Sequence, residues 1–208
     1  MFVNRLTGNV AYQFTVGNLS FVYNSSQEAN YGFGNGITCA QAPRMEKLSD
    51  SVYKNVRDDG SATYYINGSC DYSGASSASL KTYPDGSSEL TLGVHQKTIT
   101  RFDANGRANS QSNYPFGQTN PTMTFFYYYE ESGYLGEVYS QGKADDLYYV
   151  QDANGQYRLD SVVSNGKTYS FIFDGDGNLT RVTGGDDMIS FGYQGNLPSD
   201  ECIQQPHR

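Results

Sequence analysis

The sequence contains no tryptophan, only two histidines and three cysteines among its 208 residues. Charged residues make up 17% of the chain, and no two lysine or arginine residues are adjacent. With a net charge of -8, the chain has no basic patch of the kind that binds nucleic acid or an anionic membrane surface. No apolar stretch approaches the ~20 residues that a membrane-spanning helix needs. We therefore expect neither a nucleic-acid partner nor insertion into a membrane.

The scarcity of histidine and cysteine argues against nucleophilic catalysis. His95 alternates with apolar residues in "TLGVHQKTI", which predicts a strand residue, and His207 lies in the terminal tail. Three widely spaced cysteines, Cys39, Cys70 and Cys202, form neither a disulfide framework nor a zinc pattern. A single Cys39–Cys70 bridge and free thiols are both compatible with the sequence. We predict no enzyme activity, no catalytic residues, no cofactor and no metal.

The abundant residues of this chain are those that favour strands and tight turns. The chain has 19 tyrosines, 11 phenylalanines and 23 glycines. Asp-Gly or Asn-Gly pairs interrupt strand-like runs at residues 59–60, 85–86, 105–106, 154–155, 165–166 and 176–177. Such pairs are the strongest short-range signal of a β-hairpin. The sequence therefore predicts an all-β fold, a meander of antiparallel hairpins in one domain spanning residues 1–208.

Four segments carry more local predictions. Residues 42–50, "APRMEKLSD", are the best helical candidate, and residues 72–80 and 107–121 are predicted as irregular loops. Residues 122–130, "TMTFFYYYE", have aromatic side chains at successive positions, so these would point to both faces of a strand. This pattern predicts a strand that is covered on both faces.

The stretch "FIFDGDGNLTRV" allows two interpretations. Asp174, Asp176 and Asn178 alternate like the first ligands of a calcium loop, or they form the bend of a hairpin. A helix–loop–helix calcium site that begins at Asp174 needs glycine at position 6 and glutamate at position 12. Leu179 and Gly185 occupy these positions. The hairpin interpretation is favoured.

The same stretch resembles the tyrosine–aspartate (YD) repeat of the RHS family, whose pattern is Tyr-Asp-x-x-Gly-x-Leu. Two further segments resemble it more weakly, with Ala108 in place of the leucine in one and Gln151 in place of the aromatic residue in the other. The third segment and the first lie 22 residues apart (152 to 174), near that family's repeat length. The matching residues are Phe173, Asp174, Gly177 and Leu179 in the first, Phe102, Asp103 and Gly106 in the second, and Asp152 and Gly155 in the third.

A second likeness lies near the N-terminus. The segment "LSFVYNSSQEANYGFGNG" resembles the one that opens the shell in RHS proteins and in the B components of insecticidal toxins, although Ile37 replaces the usual tryptophan. The matching residues are Tyr23, Asn24, Ser25, Phe33, Gly34 and Gly36.

The resemblance implies a mechanical function. Proteins of this family wind hairpins into a hollow β-shell that encloses or presents a C-terminal toxin or effector. The expected partners are the remainder of a larger RHS-type polypeptide and its toxin cargo. The resemblance also implies a secreted or cell-surface protein delivered by a larger secretion system, and the start of the chain has no signal-peptide pattern. The resemblance divides the chain into a shell-opening segment (1–50), hairpins and loops (51–140), YD-like hairpins (141–197) and a tail (198–208).

A binding module is the alternative. A free-standing β domain of the adhesin or carbohydrate-binding type would use tyrosine-rich surfaces to recognise a glycan or a protein receptor. Phe126, Tyr128 and Tyr148 are the residues that we expect on such a surface. The competing interpretation, that these rings pack inside the sheet, is favoured.

Overall fold

The computed structural model describes residues 2–3, 10–25, 31–56, 62–70, 77–185, 187–194, 197–198 and 203–206. These residues form strands, turns and bends without a helix, which confirms the all-β prediction. Accordingly, no helix in this part of the chain is long and apolar enough to cross a membrane. The strands are β1 (Phe2–Val3), β2 (Val10–Val16), β3 (Leu19–Asn24), β4 (Ile37–Cys39), β5 (Met45–Lys47), β6 (Val52–Val56), β7 (Ala62–Ile66), β8 (Ser69–Cys70), β9 (Ala78–Thr82), β10 (Ser88–Leu92), β11 (Lys97–Phe102), β12 (Ala108–Tyr114), β13 (Met123–Tyr129), β14 (Leu135–Ser140), β15 (Lys143–Gln151), β16 (Tyr157–Ser164), β17 (Lys167–Phe173), β18 (Leu179–Gly184), β19 (Asp187–Ser190), β20 (Tyr193–Gln194), β21 (Leu197–Pro198) and β22 (Ile203–Pro206).

Nearly all strands pair with their neighbours in the chain. Strands β1 to β4 form a four-stranded antiparallel N-terminal sheet. Strands β5 to β19 follow one another in a second, much longer sheet, which β22 completes beside β19. We call this 16-stranded assembly the meander sheet. Its two end strands, β5 and β22, do not pair with each other, so the sheet is open. The predicted meander of antiparallel hairpins is confirmed.

Two segments predicted to lack strands each contain a complete strand. The helical candidate 42–50 contains β5, because backbone partners elsewhere hold it extended. The Met45 N–H donates to the Gly106 carbonyl (2.8 Å), and the Ala108 N–H donates to the Pro43 carbonyl (3.3 Å). The predicted loop 107–121 contains β12, whose polar sequence pairs with β11 on one side and β13 on the other. Backbone pairing has overridden local propensity in both cases.

Other local predictions need smaller corrections. The predicted loop 72–80 already contains the start of β9 at Ala78, and residues 71–76 lie outside the described residues, as does the predicted turn at 59–60. His95 lies in the loop between β10 and β11 rather than in a strand, with its ring 5.3 Å from that of Phe116. Strand β13 is covered on one face only, since Phe126 and Tyr128 are exposed.

The N-terminal sheet covers one face of the meander sheet. Alternate residues of a strand point to the same face, and the inner face of the meander sheet buries a large apolar residue in most of its strands. Examples are Tyr127, Val138, Leu147, Val162 and Phe171. These residues share one core cluster with residues of β2, β3 and β4. The molecule is therefore layered, sheet upon sheet, over this part of the meander.

Aromatic rings form the contact between the two layers. Phe21 of β3 is fully buried, and its ring centroid lies 5.5 Å from that of Phe14 and 5.6 Å from those of Phe33 and Phe171. Phe171 belongs to β17 of the meander sheet. Phe14 also meets Phe191 edge to face at 5.1 Å. Stacked and edge-to-face rings at these separations add to the stability that burial supplies.

We predict that Phe21→Ala lowers the free energy of unfolding by about 3–5 kcal/mol, because it empties the centre of this contact. Ile172→Ala is the matched control, since Ile172 lies on β17 beside Phe171 and is 44% exposed; its expected cost is below about 1 kcal/mol. Urea unfolding followed by circular dichroism measures both. Equal losses for the two variants would mean that the ring contact does not hold the sheets together.

Candidate functional site

Five hairpin loops in the described part of the meander sheet share one hydrogen-bonded form, which we call the repeat loop. In each, the N–H of the first residue donates to the carbonyl of the fifth at 2.8–3.0 Å, and the fourth residue donates back to the first at 2.8–3.2 Å. The fourth residue is always a glycine with positive φ. A turn of this type favours aspartate at its first position and glycine at its fourth, which explains the pattern Asp-x-x-Gly physically. The repeat loops span 83–87, 103–107, 130–134, 152–156 and 174–178.

In three repeat loops the first residue is an aspartate that caps the loop with its side chain. Asp174 Oδ1 accepts from the N–H groups of Asp176 (3.0 Å) and Asn178 (2.9 Å). Asp103 and Asp152 accept the equivalent two bonds at 2.8–2.9 Å. The second carboxylate oxygen reaches a side chain in every case: Asn178, Arg107 or Arg158. The aspartates of all three predicted repeats therefore have one structural role, as the hairpin interpretation requires.

The residues that flank two of the repeat loops pair across the loop and pack against the core. Phe173 lies opposite Leu179 and Phe102 lies opposite Ala108, in both cases across a β-bulge. Phe102, Ala108 and Leu179 are buried. The bulge places the aromatic residue and its partner on the inner face on either side of the loop. The predicted positions of the repeat are thus the ones that close the hairpin against the core.

Sequence reasoning missed one copy of the repeat. Tyr129 lies opposite Leu135 across the same kind of bulge, with Glu130 first and Gly133 fourth in the loop between them. The sequence Tyr-Glu-x-x-Gly-x-Leu was available as a signal, with glutamate in place of aspartate. The longer Glu130 side chain accepts only from the Ser132 hydroxyl (3.4 Å) and makes no bond to the loop backbone. The backbone alone holds this loop.

In the copy that begins at Asp152, a different residue supplies the aromatic ring. Gln151 turns its amide to the Gly155 carbonyl (2.9 Å). Tyr149, two residues earlier, lies opposite Leu159 and donates its hydroxyl to the Leu135 carbonyl (2.9 Å). Burial raises the pKa of the Tyr149 hydroxyl well above its ordinary value, so it stays a donor at neutral pH. This bond links two successive repeats.

Residues 31–36, which lie in the segment predicted to open a shell, contact the repeats directly. The Asn35 N–H donates to the Gly177 carbonyl (3.1 Å), and the Asn35 side-chain amide donates to the Asp176 carbonyl (2.8 Å). One repeat earlier, the Leu159 N–H donates to the Gly32 carbonyl (2.6 Å). The segment therefore bonds the backbone of two neighbouring repeats. We call these bonds the clasp.

The motif glycines of the opening segment allow close approach. A Cβ at Gly34 would lie 2.5 Å from Phe173 Cε1, and a Cβ at Gly36 would lie 2.8 Å from the ring of Tyr23. Phe33 is buried against Phe21. The residues predicted as an opening motif and those predicted as a repeat therefore lie in contact. Among the other opening-motif residues, Asn24 is buried and its N–H donates to the Gly36 carbonyl (2.8 Å), while Ser25 follows directly on β3.

A cavity of about 450 Å³ lies between the opening segment, β5 and the 103–107 loop. Most of the charges around it are paired: Lys54 with Glu46 (3.0 Å) and Arg107 with Asp103 (2.8 Å). The Arg44 guanidinium lies 4.4 Å from the centre of the Tyr31 ring. Burial raises the pKa of the nearby Tyr129 hydroxyl to about 12, with Arg44 and Arg107 opposing the shift. These contacts pack the opening segment against the meander sheet.

The described residues contain no set of three or more histidine, cysteine, aspartate or glutamate side chains placed to hold a metal ion. Cys39 and Cys70 are free thiols, and Cys202 lies outside the described part of the chain. Phe126, Tyr128 and Tyr148 lie on the outer face of the meander sheet and are 42%, 53% and 51% exposed. The expectation that these three rings pack inside the sheet is therefore wrong.

In comparisons with protein-family models and with curated proteins, nothing matches this chain. Membership of the RHS family stays a prediction that rests on the quoted motifs.

We predict that acid weakens the repeat loops through their aspartates. Desolvation raises the pKa of Asp174, but the bonds from Asn178 and Asp176 outweigh it and hold the pKa below its ordinary value of 3.8. The stability from this carboxylate is therefore present above about pH 4 and is lost as the pH falls through the lowered pKa. Asp174→Asn should cost about 1 kcal/mol at pH 7, after allowance for solvent screening.

The measurement is urea unfolding of wild type and Asp174→Asn from neutral pH to below about pH 3, where the difference between them should shrink. Asp176→Asn is the control, since no hydrogen bond reaches the Asp176 carboxylate from the described residues. A pH-independent difference for Asp174→Asn would contradict the role of its charge.

We also predict that Gly34→Ala opens the clasp. Gly34 has a φ of +105°, and its added Cβ would collide with the Phe173 ring, so the cost should be about 2–4 kcal/mol. Gly166→Ala is the control, because Gly166 also has a positive φ (+75°) but has open space around it; we expect about 1 kcal/mol. Thermal unfolding compares the two, and hydrogen exchange at the Asn35 amide reports the clasp. Equal losses and an unchanged Asn35 amide would refute it.

Proposed function

We propose that this chain is a structural segment of a YD-repeat β-shell of the RHS type, which encloses or presents a C-terminal toxin or effector. It carries no catalytic step of its own. Such a protein would be secreted or held at the cell surface, delivered by a larger secretion system. The chain contributes the opening of the shell and the repeats that follow.

The observation that carries this proposal is the clasp. Two motifs that resemble different parts of the RHS pattern, more than a hundred residues apart in the sequence, meet through backbone hydrogen bonds and ring packing. An opening segment that covers the inner face of neighbouring repeats supports a shell, because an open sheet must cover one face and protect its edges. The recurring repeat loop also supports the proposal, since it lets hairpins be added one after another.

A binding module is the second candidate, and the exposure of Phe126, Tyr128 and Tyr148 favours it. A free-standing module needs a displayed surface and no further hairpins, whereas a shell needs further hairpins and an interior. The two candidates therefore differ in the size of the native polypeptide.

The test is an immunoblot of the source cells with an antibody raised against the purified 208-residue chain. The shell proposal predicts a band several times larger than the 23.0 kDa of this chain. Negative-stain electron microscopy of that purified polypeptide should then show a hollow particle. A native band at 23.0 kDa would overturn the shell proposal and leave the binding module. A large polypeptide without an interior would also overturn it.

A further inference from the structure

The outer face of the meander sheet carries a cluster of exposed aromatic rings across three adjacent strands. Phe126 and Tyr128 lie on β13, Tyr139 lies opposite Phe126 on β14, and Tyr148 lies on β15. Tyr128 and Tyr148 are more than half exposed. Exposed rings grouped in this way are unusual on a protein surface that contacts only water.

Two carboxylates lie between these rings without a positive partner. Glu137 lies opposite Tyr128 on one side and opposite Asp146 on the other. Like charges directly opposite each other destabilise an antiparallel pair. Within the described chain, no lysine or arginine comes within ion-pair distance of either carboxylate.

Another carboxylate on the outer face has a positively charged partner on the neighbouring strand. Glu89 of β10 lies opposite Arg101 of β11, and the two side chains form an ion pair at 2.9 Å. The sheet therefore has the means to pair an outer carboxylate across strands, and at Glu137 and Asp146 it places a second carboxylate instead. We call the six residues Phe126, Tyr128, Glu137, Tyr139, Asp146 and Tyr148 the aromatic-acidic face.

We propose that the aromatic-acidic face binds an extended, basic segment of a partner protein, with lysine or arginine at alternate positions. Aromatic faces attract a cation, and two unpaired carboxylates supply its counter-charge. Phe126 and Tyr128 are two residues apart on one strand, a spacing of about 6.8 Å, which equals the separation of alternate side chains in an extended peptide. This inference holds whether or not the chain belongs to a shell.

The negative charge of the chain and the two carboxylates favour a basic peptide as the ligand of the aromatic-acidic face. A second copy does not supply a basic strand, because the net charge is -8 and no two lysines or arginines are adjacent or alternate within the described strands. A neutral saccharide would use the rings but would leave the two carboxylates uncompensated. A basic peptide satisfies both features.

The experiment is isothermal titration of the whole chain with an eight-residue peptide in which lysine alternates with threonine. We expect saturable binding that weakens at least about tenfold when salt rises from about 0.05 M to about 0.5 M. The double variant Glu137→Gln with Asp146→Asn should reduce affinity about tenfold or more. Tyr128→Ala should reduce it about threefold to tenfold.

Matched control variants distinguish binding at the aromatic-acidic face from non-specific attraction of the peptide to a negatively charged protein. Glu46→Gln with Asp50→Asn removes two carboxylates elsewhere on the surface, and Tyr64→Ala removes an exposed ring on β7. Both variants should leave the affinity unchanged. Equal losses in the control variants would overturn the proposal, as would absence of binding to the peptide. Binding of a neutral hexasaccharide in place of the peptide would overturn it in favour of a glycan site.

Discussion

The structure depends on covering one face of a sheet whose strands pair only with their neighbours. A meander of hairpins makes no contacts between distant strands of its own, and a single hairpin is only marginally stable in water. The N-terminal sheet supplies the missing layer. Phe21 and Phe14 contact Phe171 and Phe191, which lie more than 140 residues later in the chain. Without this contact the inner residues of β15 to β19 would face solvent.

The repeat loop closes successive hairpins of the meander sheet in the same way. In the copies that begin at Asp103 and Asp174, the aspartate and the glycine fix the turn locally, while the aromatic residue before the loop and the apolar residue after it pair across a bulge. Each of these copies therefore combines a turn that the local sequence specifies with a pair of residues that packs against the core. Where one component is absent, another residue replaces it: Tyr149 supplies the ring that Gln151 lacks, and backbone bonds alone hold the loop that begins at Glu130.

The two faces of the meander sheet differ in what they offer to other molecules. The inner face is closed over β15 to β19 by aromatic packing and by the clasp, which suits a structural role. The outer face displays rings and carboxylates that nothing in the described chain covers. A structural function on one face and recognition on the other are compatible, because alternation along each strand separates the two sets of side chains.

The sequence by itself determined the strand class, most of the turns and the three repeat loops that begin with aspartate. These features depend on neighbours in the chain: Asp-x-x-Gly specifies a turn, and Asn165-Gly166 adopts positive φ at both positions, as a two-residue hairpin requires. Only the tertiary structure decided that 42–50 is extended, that polar β12 is a strand and that Phe126 and Tyr128 are exposed. It also decided that Gly34 meets Phe173. Each of these outcomes depends on a partner distant in sequence, and periodicity along one segment carries no information about that partner.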